Sequence, residues 1–290
     1  MTVSHLTLNP KLWLQVPSTH ELHQEGHRLL PINTHLALQC FTAAVARGHG
    51  PSHAHLAFMH FKGYLGAEKN VERARKLAAA GAALGCSDSQ GMLGFLTHED
   101  ERDNEVPEDK QVGERLIRES ADAGSAWGQW ALGLLCMEWA SEAAFDHFRK
   151  AAEQEHSGAQ FELGDWFEKG YLDEPNHNEA ACYYRMAAEQ GHPEAQFCLG
   201  KLFQSGDGVA LESVDLSEAV RYFRMAADQG YSAALFELGR LYENGSGVAQ
   251  DFAEARRYYL MAKSQGYQGA GLALYNLYLN IRLANDRGRV

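Results

Sequence analysis

The chain has 290 residues, 45% of them hydrophobic, and a formal net charge of −12, so it is ordered and acidic, and long enough for two domains or one extended array. Its 38 Asp and Glu outnumber 26 scattered Lys and Arg, which excludes the basic footprint that nucleic acid requires. No window approaches the roughly 18–20 apolar residues that span a bilayer, and the first ten residues carry no basic-then-apolar leader, so no membrane insertion and a cytoplasmic location are expected.

In chain order, residues 1–32 are expected to form an N-terminal segment and a capping helix. His20, His23 and His27 invite a metal reading there, because His23 and His27 stand four apart on a helix. The string His23-Gln-Glu-Gly-His27 is not the zinc-hydrolase order, however, and Gly26 weakens the helix that would aim both rings, so no metal site is assigned. His53, His55 and His60 show no fixed ligand spacing and are expected at the surface. Five cysteines (Cys40, Cys86, Cys136, Cys182, Cys198) match neither a metal pair nor a regular staple and are expected to be buried reduced thiols.

Residues 33–283 repeat. A Leu-Gly pair recurs at Leu93-Gly94, Leu132-Gly133, Leu163-Gly164, Leu199-Gly200 and Leu238-Gly239, with echoes at Leu56-Ala57 and Leu274-Tyr275. The second members are separated by 37, 39, 31, 36, 39 and 36 positions. Nine residues before each lies a slot filled by Gly48, Gly85, Gly124, Glu155, Gly191, Gly230 and Gly266. Eleven earlier stands Ala37, Ala74, Gly113, Ala144, Ala180, Ala219 or Ala255, and four earlier again a capping Asn33, Asn70, Asp109, Asn176, Asp215 or Asp251, with Ala140 the exception.

These landmarks predict a capped helix of about 14 residues ending at glycine, then a short turn, then a second helix carrying the Leu-Gly pair. A helical hairpin cannot bury its apolar stripe alone, so the units stack into a curved solenoid. The third unit is short, 31 residues, with Glu155 where glycine is usual, and is the expected weak joint; the second carries an acidic loop over 99–109. Residues 284–290 are a tail.

The strings Ala195-Gln-Phe-Cys-Leu-Gly200 with Gly206-Asp-Gly-Val209, Ala234-Leu-Phe-Glu-Leu-Gly-Arg-Leu-Tyr242 with Gly245-Ser-Gly-Val248, and Ala180-Ala-Cys-Tyr-Tyr-Arg-Met-Ala-Ala-Glu-Gln-Gly191 resemble the Sel-one-like repeat family, longer relatives of the tetratricopeptide repeats. The resemblance implies an all-α, right-handed α/α superhelix of about seven helix pairs that works as a scaffold or adaptor for a protein or peptide, as a monomer or weak dimer, without cofactor. The cysteine pattern departs from the family's disulfide-stapled branch.

With the repeated Leu numbered 7 in its helix, positions 3, 7, 10 and 11 face the core, and 2, 5, 9 and 12 share the opposite side. The resemblance implies that this second side lines a groove. It carries Phe58, Phe61 and Phe95, then Trp127, Trp130, Leu134 and Met137, then Phe161 and Asp165, Phe197 and Lys201, Phe236 and Arg240. The apolar residues of the first three units are expected to form a partner-binding patch anchored by Trp127 and Trp130, unless the N-terminal segment covers it. The recurrent position-5 aromatic has a competing reading as packing between helices.

No nucleophile elbow or phosphate loop is found, and pairs such as Asp165 with Glu168 are better read as partner contacts than as general acids, so no catalytic residue is assigned. Two further functions fit the sequence: an immunity protein that blocks a secreted bacterial toxin, and a binder of a small ligand or peptidoglycan fragment.

Overall fold

A computed structural model describes residues 18–63, 67–99, 107–137, 141–171, 173–208 and 214–287. These residues form helices and no strand. They divide into two compact units, residues 1–123 and 124–290.

The first unit holds three hairpins: α1 (Thr19–Leu29) with α2 (Thr34–Ala46), α3 (Gly50–Lys62) with α4 (Val71–Ala83), and α5 (Ser87–His98) with α6 (Pro107–Asp122). The second holds four: α7 (Ala126–Cys136) with α8 (Ser141–Ala152), α9 (Ser157–Lys169) with α10 (His177–Glu189), α11 (Pro193–Ser205) with α12 (Leu216–Asp228), and α13 (Ser232–Asn244) with α14 (Phe252–Ser264). A last helix, α15 (Ala270–Arg287), packs on α14 and runs into the stretch expected to be a tail.

The helix starts follow the capping chemistry. Asn33, Asn70 and Asn176 accept a hydrogen bond from the N–H three residues on, and Asp215 and Asp251 accept from two N–H groups each. Asp109 does not cap: α6 already begins at Pro107, so Asp109 lies inside its first turn. Proline favours a first helical position because its missing N–H would be unpaired there anyway. Ala140 lies outside the described residues.

At the other end of the even helices, Gly48, Gly85, Gly124, Gly191, Gly230 and Gly266 all take φ between +78° and +86°. Glu155 takes φ +62° in the same slot, the one non-glycine residue among those described to do so. The slot therefore demands left-handed backbone whatever side chain fills it.

The Leu-Gly glycine has a different role. On Gly133, Gly164, Gly200 and Gly239 a Cβ would stand 2.5–2.7 Å from the ring of Phe148, Tyr184, Phe223 and Tyr259 respectively, each on the following even helix. Those four rings are fully buried, and they stand four residues beyond the buried alanines 144, 180, 219 and 255. Gly26 belongs to the same pattern, its Cβ position 2.8 Å from Phe41. It weakens no helix here: it lets α1 approach α2, and α1 is the first half of a hairpin.

Candidate functional site

The position-5 aromatics of the second unit are taken up by packing. Each meets the residue that follows the left-handed slot, shortly before or at the start of the next odd helix. Phe161 stacks on His192 with centroids 5.0 Å apart, Phe197 meets Tyr231 at 5.3 Å, and Phe236 stacks on Tyr267 at 4.7 Å. Trp130 meets His156 at 5.3 Å, and Trp127 packs edge-on to the same imidazole at 4.4 Å. His156 and His192 also cap their helices, Nδ1 accepting from the N–H of Ala159 and Ala195. The ladder thus joins consecutive repeats through rings worth about 0.5–1.5 kcal/mol per pair beyond their buried area.

Expected anchors Trp127 and Trp130 are corrected by this ladder. They are only 5% and 4% exposed, so their indoles form part of the packed interior instead of projecting to a partner. Leu134 beside them is half-buried and Met137 is 36% exposed. Phe161, Phe197 and Phe236 stay half-buried, each with one face committed to the ladder. In the first unit, Phe58 and Phe61 are half-buried and Phe95 is buried. Phe61 meets Phe95 edge-on at 5.4 Å, and the Lys62 ammonium lies 5.8 Å from the Phe58 ring.

Position 9 of the same helices is left over from packing. Asp165 is half-buried and pairs with Lys169 at 2.8 Å. Lys201 and Arg240 are exposed, and their contacts are with their own helix: Lys201 donates to Gln204, and Arg240 forms an ion pair with Glu237 at 3.0 Å. Position 12 is committed inward at two places. Glu168 accepts from the Tyr184 hydroxyl, and Glu243 accepts from Tyr259 at 2.7 Å. Burial raises the pKa of both phenols, so they remain protonated donors.

Sequence reasoning missed two features. One is a ladder of glutamines, buried except for the half-buried Gln190: Gln190 donates to Gln160 and Gln229 to Gln196, both at 2.7 Å, while Gln160 and Gln196 donate to the carbonyls of Ala152 and Ala188. The shared Ala-Gln-Phe string before Leu-Gly was its only visible signal. The other concerns the histidines expected at the surface: His53 and His60 are buried, and His55 is half-buried beside His23 and His27.

All five cysteines are free thiols. Burial pushes Cys40 and Cys198 up to about 12, but only Cys40 is fully buried; Cys86, Cys136 and Cys198 are half-buried and Cys182 is exposed, against the expectation that all five are buried.

Among the described residues no helix is long and apolar enough to cross a membrane. The repeated hairpin, the glycine-on-ring packing and the ladder define a class, the helical-repeat proteins that present a face built from successive helices. Six segments match the Sel1 repeat, residues 21–49, 50–86, 129–156, 157–192, 193–231 and 232–267, together more than half of the chain. This protein belongs to the Sel1 repeat family.

The first match begins within residues 1–32, and α5–α6 has none. Solved structures are similar. A protective antigen of uropathogenic Escherichia coli strains displaying an SLR fold has a TM-score of 0.58 at 27% identity, over 91% of this chain and 57% of that one. This chain thus spans little more than half of that antigen. A Sel1 repeat protein from Oxalobacter formigenes has a TM-score of 0.57 at 26% identity, over 83% and 98% of the two chains. An immunity protein from Pseudomonas aeruginosa reaches 0.45 at 20% identity, over 73% and 81%. No curated protein sequence matches.

Proposed function

We propose that this chain is a protein-interaction scaffold or adaptor that holds a segment of a partner protein along the odd helices of its second unit. Sel1 repeats in general mediate protein–protein interaction. The observation that carries the reading is the division of labour on that face: position 5 is consumed by the ring ladder, whereas Asp165, Lys201 and Arg240 occupy position 9 of three successive odd helices and spend their charge on neighbours in their own helix. Such local interactions of side chains at least partly in solvent are worth little, about 0–1 kcal/mol, and a partner's charges can replace them at small cost. Two adjacent cations after an anion favour a partner segment whose acidic groups meet Lys201 and Arg240, and the surrounding charge of −12 then acts against strongly acidic partners in general.

The test is affinity capture from native extract with the wild-type chain and with Lys201→Glu/Arg240→Glu, both checked for folding by circular dichroism. Capture of a protein by the wild type and its loss from the variant supports the reading; identical capture by both overturns it. Assaying the captured protein then separates an adaptor, whose partner stays active when bound, from an immunity protein, whose toxin partner is silenced.

A further inference from the structure

The first unit gathers histidines from three elements into one cluster. His23 and His27 lie one turn apart on α1, and His55 reaches them from α3. Each of the three offers a ring nitrogen, and these nitrogens all lie within 4.8 Å of one another. The centroids of His27 and His55 are 4.4 Å apart, those of His23 and His27 4.7 Å, and those of His23 and His55 5.0 Å. His49, from the turn before α3, stands 4.8 Å from His23.

We propose that His23, His27 and His55 form a binding site for a divalent transition ion of borderline softness, Zn²⁺ above all, with a fourth coordination position beyond these three imidazoles. The spacing is the first argument. Nε2 of His23 and Nε2 of His27 are 3.3 Å apart, and two nitrogens bound to zinc at about 2.05 Å in a tetrahedron stand about 3.3 Å apart. The helix already holds two ligand atoms at the separation the ion requires. The third needs only to close from its present distance toward the same value.

The second argument is the shell around the rings. His55 Nδ1 lies 3.1 Å from the Pro51 carbonyl. A carbonyl only accepts, so Nδ1 carries the proton and Nε2 holds the lone pair. His23 Nδ1 and His49 Nδ1 both meet the buried Ser52 hydroxyl at 2.9 Å. One hydroxyl has one proton, so Ser52 donates to at most one of the two rings and accepts from at least one. If it accepts from His23, then His23 Nε2 is the lone-pair atom facing His27. Rings whose distal nitrogens are tied to a carbonyl or a hydroxyl are what holds ligating histidines in their tautomer and orientation.

Composition selects the ion. Three imidazoles without a thiolate or carboxylate suit zinc, copper or nickel and not calcium or magnesium. Burial, reinforced by the neighbouring rings, lowers the imidazole pKa of His23 to about 2 and of His27 to about 3; burial alone leads at His55, at about 4. All three are therefore neutral at pH 7, the form that binds metal. Phe41 stacks on His55 at 5.5 Å and closes one side of the cluster with an apolar wall.

The experiment uses the full chain without an affinity tag, stripped with a chelator and titrated calorimetrically with Zn²⁺ alone. A single saturable Zn²⁺ per chain is expected, lost in His27→Gln and in His55→Gln. Ser52→Ala should weaken it by about 10–100-fold, and His35→Gln, an exposed histidine of α2, should leave it unchanged. No saturable binding by the folded wild type overturns the site, as does binding that His27→Gln and His55→Gln both leave intact. Should a histidine variant fail to fold, the wild type decides alone with Co²⁺: the intense visible absorption of a four-coordinate ion supports the site, and the weak absorption of a six-coordinate ion overturns it.

Discussion

The backbone of Gly164 lies against the ring of Tyr184 so closely that a Cβ on the glycine would stand 2.5 Å from Cδ1. In a solvent-facing helix, Gly→Ala gains about 1 kcal/mol of helix propensity. Here the methyl would have to displace a fully buried ring whose hydroxyl is held by Glu168, and forcing extra volume into a packed core costs about 1–3 kcal/mol. Gly164→Ala is therefore expected to destabilise the chain by up to about 2 kcal/mol, measured as a lower urea midpoint. An increase in midpoint would show that Tyr184 can move aside.

Glu155 offers the opposite test. It is an exposed residue at φ +62° in a slot that glycine fills in six other repeats. The left-handed region costs an L-residue about 1–2 kcal/mol, and part of the relief is returned because glycine loosens the unfolded chain by up to about 1 kcal/mol. Glu155→Gly should raise stability by about 0.5–1 kcal/mol at unchanged denaturant slope, and Gly191→Ala should lower it.

The repeat was legible because two of its landmarks answer to backbone geometry. A left-handed helix end selects glycine, and a helix resting on an aromatic ring selects glycine again, so both leave a mark at a fixed offset. The pairing phase was less legible. Periodicity alone groups each capped helix with the Leu-Gly helix after it, whereas every glycine-on-ring contact joins a Leu-Gly helix to the capped helix that follows, as Gly200 does to Phe223.

The groove residues were hardest to read. Whether Trp130 faces a partner or His156 depends on what the next repeat places opposite it, which no single-helix pattern contains. The histidine cluster was hidden for the same reason: His55 is 28 positions from His27 along the chain, and Gly26, read as a helix breaker, is the residue that lets α1 settle onto Phe41.

His192 performs two tasks, capping α11 through Ala195 at 3.4 Å and stacking on Phe161 at 5.0 Å with an interplanar angle of 17°. Losing the cap costs about 1 kcal/mol and losing the stack about 0.5–1.5 kcal/mol. His192→Ala is expected to destabilise by about 2 kcal/mol. His192→Tyr keeps a ring where Tyr231 and Tyr267 stand in the next repeats and should recover about half of that loss. Equal losses in the two variants would mean that the stack contributes nothing.

Interior and interface separate most clearly at Trp130 and Arg240. Trp130 is buried against His156, so Trp130→Ala removes a large packed side chain and should cost about 3–5 kcal/mol of stability. Any loss of partner capture should then track the unfolded fraction and disappear under conditions where the variant is fully folded. Arg240 is exposed and its ion pair is with Glu237 of its own helix, so Arg240→Glu should shift stability by no more than about 0.5 kcal/mol. Its effect on capture should persist in the folded protein and shrink as salt screens the partner's charges, over a Debye length of about 8 Å at physiological ionic strength. A salt-independent loss, or a folded Trp130→Ala that still fails to bind, would move the interface from the position-9 row to the ring ladder itself.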